Sequence, residues 1–532
     1  MPDASAPHAA PLGRVLMVQG TTSDAGKSTL VAGLCRVFAQ AGYRVAPFKA
    51  QNMSNNAAVV DGGEIGRAQA VQAMAAGVEP TVDMNPVLLK PQGDRTSQVV
   101  VLGRARHTHD ARGYYARRAE LWPVVTGALD RLRAAYDLVV IEGAGSPAEI
   151  NLAQYDIVNM RVARHAGAPV LLVGDIERGG VFAALYGTVA LLAPEERALV
   201  RGFVINKFRG DPSLLTPGFA MLEARTGVPT LGVLPYLDLA PLPAEDGLAL
   251  DARGRLAGAT SEDAVLDVAV LRLPRIANLD EFQPLAGEPG VGLRFVRDVR
   301  ELGTPDLVVV PGTKATMADL AWVRARGLDA AVRARRAAGT SVLGICGGYQ
   351  MLGERVVDPG GVDGAAGEAP GLGLLPVVTT FAPDKITERV RARIAAPAGL
   401  WAHGGPVHAA AVDAFDVYEI HMGRTEPLPD AVLGPTPFVV TSRAGRTAAD
   451  GAASADGLVV GTYLHGLFEN RLFRRRVLAA LATRAGVALP PAAPDSSVEA
   501  AFDDLARAIR EHVDLDAITA MLDLPALAPH DP

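Results

Sequence analysis

The sequence is poor in cysteine, in long apolar runs and in excess positive charge, and each shortage excludes a class of protein. Its 532 residues contain two cysteines, Cys35 and Cys346, too few for a disulfide scaffold or a structural zinc cluster. The 51 basic residues are outnumbered by 58 acidic ones, and this net charge of −7 argues against a broad basic surface for nucleic acid. The longest uncharged apolar stretch, residues 179–194, is shorter than the roughly 20 residues of a membrane helix.

The rest of the composition is typical of a globular protein in a reducing compartment. Hydrophobic residues make up 49% of the chain, enough for a sizeable core, and its length predicts about three domains. Residues 1–13 have neither the basic nor the apolar region of a secretory signal, and we interpret them as a disordered lead-in. We therefore expect a cytoplasmic protein that binds neither nucleic acid nor a membrane, and a homo-oligomer stays open.

Residues 14–236 alternate short apolar runs with helical periodicity, the pattern of a doubly wound α/β domain. Unbroken β-branched runs of this kind are typical of parallel strands that are covered on both faces. Apolar residues spaced three and four apart predict a helix over residues 28–41. The predicted strands are residues 14–20, 137–145, 169–176 and 202–208.

A second α/β series follows a segment rich in Pro, Gly, Ala and acidic residues, residues 237–264, which we interpret as a linker. Residues 265–485 are predicted to form a second doubly wound domain that turns to extended segments in its later part. Residues 486–532 have helical periodicity and are expected to pack as a cap. The predicted strands are residues 266–273, 293–298, 306–313, 341–348, 417–423 and 458–466.

A glycine-rich turn, GTTSDAGKST, joins the first predicted strand to the first helix and predicts a P-loop for ATP. The backbone N–H groups of such a turn and the positive end of the following helix bind phosphates. Lys27 would reach the β- and γ-phosphates, and the Ser28 hydroxyl would ligate Mg²⁺. The predicted ATP-binding residues of this loop are Gly20, Thr21, Asp24, Ala25, Gly26, Lys27, Ser28 and Thr29.

Two further residues of this half follow predicted strands, where open α/β sheets bind ligands. Glu142 is predicted to be a Mg²⁺ partner, with a helix-capping acid as the alternative. Asn206 lies in INKFRGD (205–211), which resembles the base-reading turn of other P-loop proteins. That resemblance implies a contact with adenine, and an ordinary asparagine at a strand end is the alternative.

The segment KAQNMSNNA, residues 49–57, concentrates a lysine, a glutamine and three asparagines just after a strand. Because so many buried amides would need many partners, we expect an exposed site for a substrate rich in amides and carboxylates. A turn-rich loop without a ligand is the alternative. The candidate substrate residues are Lys49, Gln51, Asn52 and Asn55.

A second reactive motif, GICGGYQMLG (344–353), predicts that Cys346 is a nucleophile at a strand-to-helix elbow. The helix N-terminus favours the thiolate, and the flanking glycines permit the sharp turn. The N–H of Gly347 is predicted to stabilise an oxyanion, with Gly312 in the upstream PGTK turn as a second donor. The other cysteine, Cys35, falls on an apolar helix face and is expected to be structural.

A cysteine nucleophile needs a base, and two histidines follow or lie in late strands. His465 in GTYLHGLFE is the candidate base, whereas His421 in YEIHMG is expected to be a wall or interdomain residue. Cys346 and His465 in these contexts resemble the pair of a class I, triad-type glutamine amidotransferase. Most members have a glutamate two residues after the histidine, where this chain has Leu467. Either another group orients His465 or the pair works alone, and Glu469 is not assigned.

The first half resembles dethiobiotin synthetase, which shares the longer P-loop spacing. Thr22 stands where the partitioning ATPases have a second lysine, which argues against an ATP-sandwich dimer of that type. Such an ATP domain joined to a glutaminase is the arrangement of the cobyrinate amidases, and the sequence most resembles the cobyric acid synthase family among them. The motifs that carry this resemblance are FKAQNMSNNA, GAGSPAEINL, DIERGGVFA, NKFRGD, VVPGTKATMADL, GICGGYQMLG, GLGLLP and YEIHMGRT.

The resemblance implies an enzyme that uses ATP, Mg²⁺ and the amide nitrogen of glutamine. Its substrate would be a corrinoid, adenosylcobyrinic acid a,c-diamide, amidated on its b, d, e and g carboxylates to give adenosylcobyric acid in cobalamin biosynthesis. Two alternatives stay open. One is an amidase of the a and c carboxylates, and the other is a nucleotide-dependent switch with a degenerate amidotransferase domain.

Overall fold

The computed structural model describes residues 12–92, 96–237, 264–364, 366–395, 400, 414–492 and 498–528. The predicted lead-in and the predicted linker lie almost entirely outside the described residues. None of the described helices combines the length and the apolar character that crossing a membrane requires.

The first half of the chain alternates strands with helices. Its strands are β1 (Arg14–Gly20), β2 (Val45–Phe48), β3 (Gln51–Met53), β4 (Ala57–Val60), β5 (Gly63–Gly66), β6 (Val87–Pro91), β7 (Thr96–Val101), β8 (Arg104–Asp110), β9 (Leu138–Glu142), β10 (Val170–Asp175), β11 (Val200–Phe208) and β12 (Thr230–Pro235). Its helices are α1 (Lys27–Gln40), α2 (Arg67–Ala75), α3 (Ala111–Ala135), α4 (Met160–Ala166), α5 (Val181–Leu191), α6 (Pro194–Arg197) and α7 (Thr216–Thr226).

Six of these strands form a parallel sheet in the order β12-β11-β10-β1-β9-β2. The apolar runs that predicted the strands fill both faces of this sheet, because helices cover it on each side. The central strand β1 pairs with β9 on one side and with β10 on the other. The P-loop and Glu142 therefore meet at the carboxyl edge, where such sheets bind ligands.

A smaller unit of the first half was not predicted from the sequence. It consists of a four-stranded sheet, β3-β6-β7-β8, and the hairpin of β4 and β5. The hairpin contacts the second half of the chain, where its residues share an apolar cluster with Tyr418 and Ile420. This unit joins the ATP-binding half to the part of the chain that carries Cys346.

The second half contains a second α/β series. Its strands are β13 (Leu266–Leu271), β14 (Val291–Val296), β15 (Leu307–Val310), β16 (Ser341–Ile345), β17 (Arg355–Asp358), β18 (Gly367–Pro370), β19 (Val377–Ile394), β20 (Phe415–Pro427), β21 (Phe438–Ser442), β22 (Thr447–Asp450), β23 (Ala452–Ala453), β24 (Val459–Thr462) and β25 (Leu464–His465). Its helices are α8 (Gln283–Ala286), α9 (Val299–Leu302), α10 (Thr316–Ala325), α11 (Leu328–Ala337), α12 (Gly347–Leu352), α13 (Arg471–Ala485), α14 (Val498–His512) and α15 (Leu515–Met521).

Two sheets organise this half. One runs in the order β14-β13-β15-β16-β24-β23 and is parallel except for β23, and the other is a mixed sheet built around β19 and β20. In the first sheet Ile345 is in register with Thr462. Cys346 and His465 follow these two residues, so neighbouring strands deliver both side chains to the same edge.

The end of the described chain returns to the first half. Phe502, Leu505 and Ile509 of α14 share one apolar core with α1. A Cβ at Gly33 of α1 would lie 2.1 Å from Cδ1 of Ile509, so the two helices approach closely at this glycine. The predicted cap therefore covers the ATP-binding half.

Candidate active sites

The P-loop residues adopt a phosphate-loop conformation between β1 and α1. The Lys27 ammonium donates to the carbonyl oxygens of Thr22, at 2.9 Å, and Gly145, at 3.2 Å, so it lies over the loop. Gly26 has φ 97°, and a Cβ there would lie 1.9 Å from Nδ2 of Asn206. The loop therefore needs glycine at this position both for its backbone conformation and for the approach of Asn206.

Glu142 is the centre of a buried polar cluster beside this loop. Its Oε1 accepts hydrogen bonds from the Ser28 hydroxyl, at 2.9 Å, and the Lys49 ammonium, at 2.7 Å. Its Oε2 accepts hydrogen bonds from the side-chain amides of Gln72, at 2.5 Å, and Gln69, at 3.5 Å. The structure thus brings the two predicted Mg²⁺ partners, Ser28 and Glu142, into direct contact.

This cluster fits Mg²⁺ and a nucleotide. A hydroxyl and a carboxylate oxygen are ligands that Mg²⁺ prefers, and the Lys49 ammonium shows that a cation is accommodated at Oε1 of Glu142. Oγ1 of Thr22 and Oε1 of Gln72 are buried without a hydrogen-bond partner among the described residues. Such groups are costly unless a ligand or water satisfies them, so they indicate a polar ligand at this site.

Asn206 and Lys207 hold the P-loop from the end of β11. The Asn206 amide donates to the carbonyl oxygen of Ala25 at 3.0 Å. The Lys207 ammonium donates to the carbonyl oxygen of Asp24, at 2.7 Å, and to the Asp175 carboxylate, at 2.8 Å. These contacts place Asn206 against the predicted nucleotide site, and its contact with adenine stays a prediction.

The expectation that residues 49–57 form an exposed site is wrong. Lys49, Gln51 and Asn52 are 5–6% exposed. Partners come from distant segments that a local pattern does not show: Gln51 accepts from Arg118 at 2.8 Å and Asn52 donates to Gln69 at 3.1 Å. Of the four candidate substrate residues, Lys49 contacts Glu142 directly and Asn52 contacts it through Gln69. Asn55 has a buried Oδ1 without a partner among the described residues.

Cys346 occupies a strained turn between β16 and α12. Its φ of 50° is unusual for a residue with a side chain, and its side chain is 8% exposed. A Cβ at Gly348 would lie 1.8 Å from the carbonyl oxygen of Val310, so the turn requires glycine at this position. The other cysteine, Cys35, is fully buried in an apolar core, and burial raises the pKa of its thiol. Cys346 is therefore the cysteine placed for chemistry.

His465, the predicted base, lines the same cavity as Cys346. Burial lowers the pKa of His465, but the Glu281 carboxylate and a hydrogen bond with Cys346 outweigh this effect and raise the pKa to about 10. A Cβ at Gly312, a predicted oxyanion donor, would lie 2.8 Å from Cε1 of the imidazole. Gly347, the other predicted donor, directly follows Cys346 at the start of α12. The Cys346 thiol, which also lies 3.6 Å from the carbonyl oxygen of Ile420, therefore has an imidazole beside it that can exchange a proton with it.

Glu281 is the functional residue that the sequence analysis missed. Its carboxylate accepts a hydrogen bond from Nδ1 of His465 at 3.2 Å and from the N–H of Gly466 at 3.3 Å. It lies in a short 3-10 helix after β13, 184 residues before the histidine. The resemblance to class I glutamine amidotransferases placed the expected glutamate at position 467, where Leu467 is fully buried in the apolar core. The one sequence signal was an acidic pair, Asp280 and Glu281, shortly after a predicted strand.

His421 lies in the wall of the same cavity, as expected. Nδ1 of His421 lies 2.9 Å from the carbonyl oxygen of Gly423, and the ring stacks on Tyr463 with centroids 3.7 Å apart. Burial lowers the pKa of His421 to about 4, so its imidazole is neutral at physiological pH. An imidazole with so low a pKa is a weak base, so His421 is a poor competitor for that role.

Helix α2 contacts both the Glu142 cluster and the segment that carries Glu281. Its Gln72 contacts Glu142 on the ATP side, whereas Arg67 at its start forms ion pairs with Asp280, at 2.8 Å, and Glu469, at 2.5 Å. Asp280 directly precedes Glu281. Glu469 therefore pairs with α2 and leaves Glu281 as the carboxylate on His465.

Comparisons with known proteins assign both halves. Residues 16–248 match the CobQ/CobB/MinD/ParA nucleotide binding domain, and residues 267–473 match the CobB/CobQ-like glutamine amidotransferase domain. The chain is 55% identical to the cobyric acid synthase of Sorangium cellulosum over 95% of its own length and 98% of that protein. It is 50% identical to that of Pelotomaculum thermopropionicum over 97% of each chain. The chain belongs to the cobyric acid synthase family.

Membership of the cobyric acid synthase family confirms several predictions. The protein is an enzyme, a glutamine-dependent amidoligase of cobalamin biosynthesis, with an N-terminal P-loop domain and a C-terminal amidotransferase domain. The nucleotide-binding and amidotransferase domains fit ATP and glutamine. A solved glutamine amidotransferase covers 40% of this chain and 98% of its own at 19% identity, with a TM-score of 0.28, too low to bear on the fold.

Proposed function

We propose that the enzyme amidates the b, d, e and g carboxylates of adenosylcobyrinic acid a,c-diamide to give adenosylcobyric acid. Each amidation would consume one ATP and one glutamine. A carboxylate is a poor electrophile, and phosphorylation by ATP converts one oxygen into a leaving group. Ammonia released from glutamine then displaces phosphate and forms the amide.

The ATP-binding half supplies groups for the phosphorylation step. Lys27 lies over the P-loop, where its charge would stabilise the phosphoryl group in transfer. Ser28 and Glu142 would hold Mg²⁺, which when bound neutralises charge on the β- and γ-phosphates. Lys49, which contacts Glu142, would orient the acceptor carboxylate. Asn52 and Oδ1 of Asn55, which has no partner among the described residues, are the remaining candidate contacts with the corrinoid.

The second half supplies groups for the release of ammonia. The Cys346 thiolate would attack the amide carbon of glutamine and form a thioester, while His465 donates a proton to the leaving nitrogen. Backbone N–H groups of Gly312 and Gly347 would stabilise the oxyanion. Water then hydrolyses the thioester to glutamate. Glu281 keeps Nδ1 of His465 protonated, so that Nε2 faces the sulfur.

The observation that carries the proposal is the combination of two complete sites in one chain. A Cys346–His465–Glu281 constellation releases ammonia, and a P-loop with the Ser28–Glu142 pair activates a carboxylate. A nucleotide switch with a degenerate amidotransferase domain would not need the strained Cys346 or its buried base pair. The a,c-diamide synthase type would use the same two sites on other carboxylates, so only the substrate separates it from the proposal.

Mass spectrometry of the corrinoid tests the proposal. The purified enzyme is incubated with adenosylcobyrinic acid a,c-diamide, ATP, Mg²⁺ and glutamine, and with cobyrinic acid in a parallel reaction. Four successive steps, each replacing OH by NH₂ on the a,c-diamide, are expected. Two steps on cobyrinic acid and none on the a,c-diamide would identify the alternative amidase. ATP hydrolysis without a change in either corrinoid would favour the switch.

A further inference from the structure

Lysine is scarce in this chain, and all of its lysines lie at the two sites. Only six of the 51 basic residues are lysines. Lys27, Lys49 and Lys207 contact the P-loop or Glu142. The other three, Lys90, Lys314 and Lys385, line one cavity together with Cys346 and His465. Among the described residues that line this cavity there is no arginine.

Glu64 of β5 is the carboxylate around which these lysines gather. It is 1% exposed and forms ion pairs with Lys90 of β6, at 2.9 Å, and with Lys385 of β19. Lys90 and Glu64 belong to the ATP-binding half, whereas Lys385 belongs to the amidotransferase half. The first half therefore holds one of the cations in the wall of the glutaminase cavity.

Lys314 adds a cation without a matching anion. It follows the Gly312–Thr313 turn, and no carboxylate lies within salt-bridge distance of its ammonium in the part of the chain that the structure describes. Among the described residues that line the cavity, Asp363 is the one carboxylate. Three lysines against Glu64 and Asp363 leave a surplus of one positive charge. A partly buried surplus of this kind favours the binding of an anion.

The crowded lysines also disfavour one another's charged forms. Burial and the ammonium groups of Lys385 and Lys90 lower the pKa of Lys314 to about 7. Burial also lowers the pKa of Lys385, and the Glu64 carboxylate opposes this effect only in part. A bound carboxylate would relieve the repulsion among the lysines.

We infer that Lys314 and Lys385 bind the α-carboxylate of glutamine and that Asp363 binds its α-ammonium. The inference rests on the proposed glutaminase function and assigns the part of the cavity that selects an amino acid. Asp363 is fixed for this role because it accepts hydrogen bonds from the N–H groups of Thr316, at 3.2 Å, and Met317, at 2.8 Å. The zwitterion would thus lie between charges of both signs, with its side-chain amide directed at Cys346.

Two alkylating reagents test this subsite in the full-length enzyme. 6-Diazo-5-oxo-L-norleucine carries the α-carboxylate and α-ammonium of glutamine, whereas iodoacetamide carries neither. Lys314→Met and Lys385→Met should slow labelling of Cys346 by the first reagent about 10- to 100-fold more than labelling by iodoacetamide, the scale of a charged hydrogen bond. Arg389→Met is the matched control, because Arg389 on the same strand as Lys385 contacts Val59 and Glu79 of the first half outside this cavity.

Three outcomes would overturn the inference. Normal labelling of both lysine variants by the norleucine reagent would place the α-carboxylate elsewhere. If Lys385→Met and Arg389→Met both slow labelling, and to the same extent with each reagent, the effect would reflect the contact between the two halves. Lys385 would then have no role in binding glutamine. The third outcome concerns the wild-type enzyme. If it hydrolyses L-glutamine α-amide as efficiently as glutamine, the α-carboxylate is not recognised. If iodoacetamide labels wild-type Cys346 but the norleucine reagent does not, the glutaminase itself fails.

Discussion

The carboxylate of Glu281 accepts a hydrogen bond from Nδ1 of His465 at 3.2 Å, and both side chains are almost completely buried. A fixed carboxylate on one ring nitrogen sets the tautomer and leaves the other nitrogen for the sulfur. We propose that Glu281, from a segment 184 residues upstream, takes the place of the third member of the usual triad.

Glu281→Gln should narrow the pH range in which Cys346 is reactive. Without the carboxylate, the pKa of His465 falls from about 10, so the imidazolium beside Cys346 loses its proton at a lower pH. Glutamine hydrolysis should fall about 10²-fold or more, and the rate of alkylation at neutral pH should fall with it. Glu469→Gln is the control, because Glu469 pairs with Arg67. Identical pH profiles for Glu281→Gln and the wild type would remove Glu281 from the site.

His465→Ala and His421→Ala show which of the two histidines acts as the base. His465→Ala should suppress glutamine hydrolysis about 10²-fold or more, since it removes the proton-transfer group. His421→Ala should have a much smaller effect on kcat, because the neutral imidazole of His421 is held by Gly423 and Tyr463. Steady-state glutaminase kinetics measure both, and a reversed order would transfer the role of base to His421.

Leu467→Glu should not improve the enzyme, although it introduces the glutamate of most class I glutamine amidotransferases. Leu467 is fully buried among apolar side chains, so a carboxylate there should destabilise the fold by about 3 kcal/mol or more. Thermal unfolding measures this loss, and Leu467→Met, which keeps the volume and polarity, should cost little. A glutamate variant that is both stable and faster in hydrolysing glutamine would show that His465 lacks a partner.

Lys27→Ala should abolish amidation with either glutamine or ammonium as the nitrogen source. Its charge would stabilise phosphoryl transfer, which both nitrogen sources require. Labelling of Cys346 by 6-diazo-5-oxo-L-norleucine should persist, because that reaction belongs to the other half. Synthesis from ammonium near the wild-type rate would mean that the P-loop does not activate the carboxylate.

Local sequence patterns predicted the elements that carry most of the chemistry. The apolar run at residues 14–20 is β1, and the elbow at Cys346 follows a strand and begins a helix, because strand cores and glycine turns are encoded within a few residues. His465 also followed a predicted strand. These features depend on neighbours along the chain, so a single sequence is enough to find them.

Features built from distant segments could not be predicted in this way. The burial of Lys49 depends on Glu142 and α2, and the orientation of His465 depends on Glu281, which belongs to another segment of the same half. The packing of α14 on α1 joins residues more than 450 positions apart, as the contact of Arg36 with Asp503 shows. Which segments meet is decided by tertiary packing, and no spacing rule along the chain contains that information.

The nitrogen source used by Cys346→Ala tests the division of labour most directly. The thiolate is needed to release ammonia from glutamine, whereas the P-loop site activates the corrinoid carboxylate. Corrinoid amidation by this variant is followed by mass spectrometry with glutamine and, separately, with a high concentration of ammonium at alkaline pH, where more free ammonia is present. The account predicts no product from glutamine and retained ATP-dependent product from ammonium, which also shows that the variant is folded. Product from glutamine at the wild-type rate would contradict it.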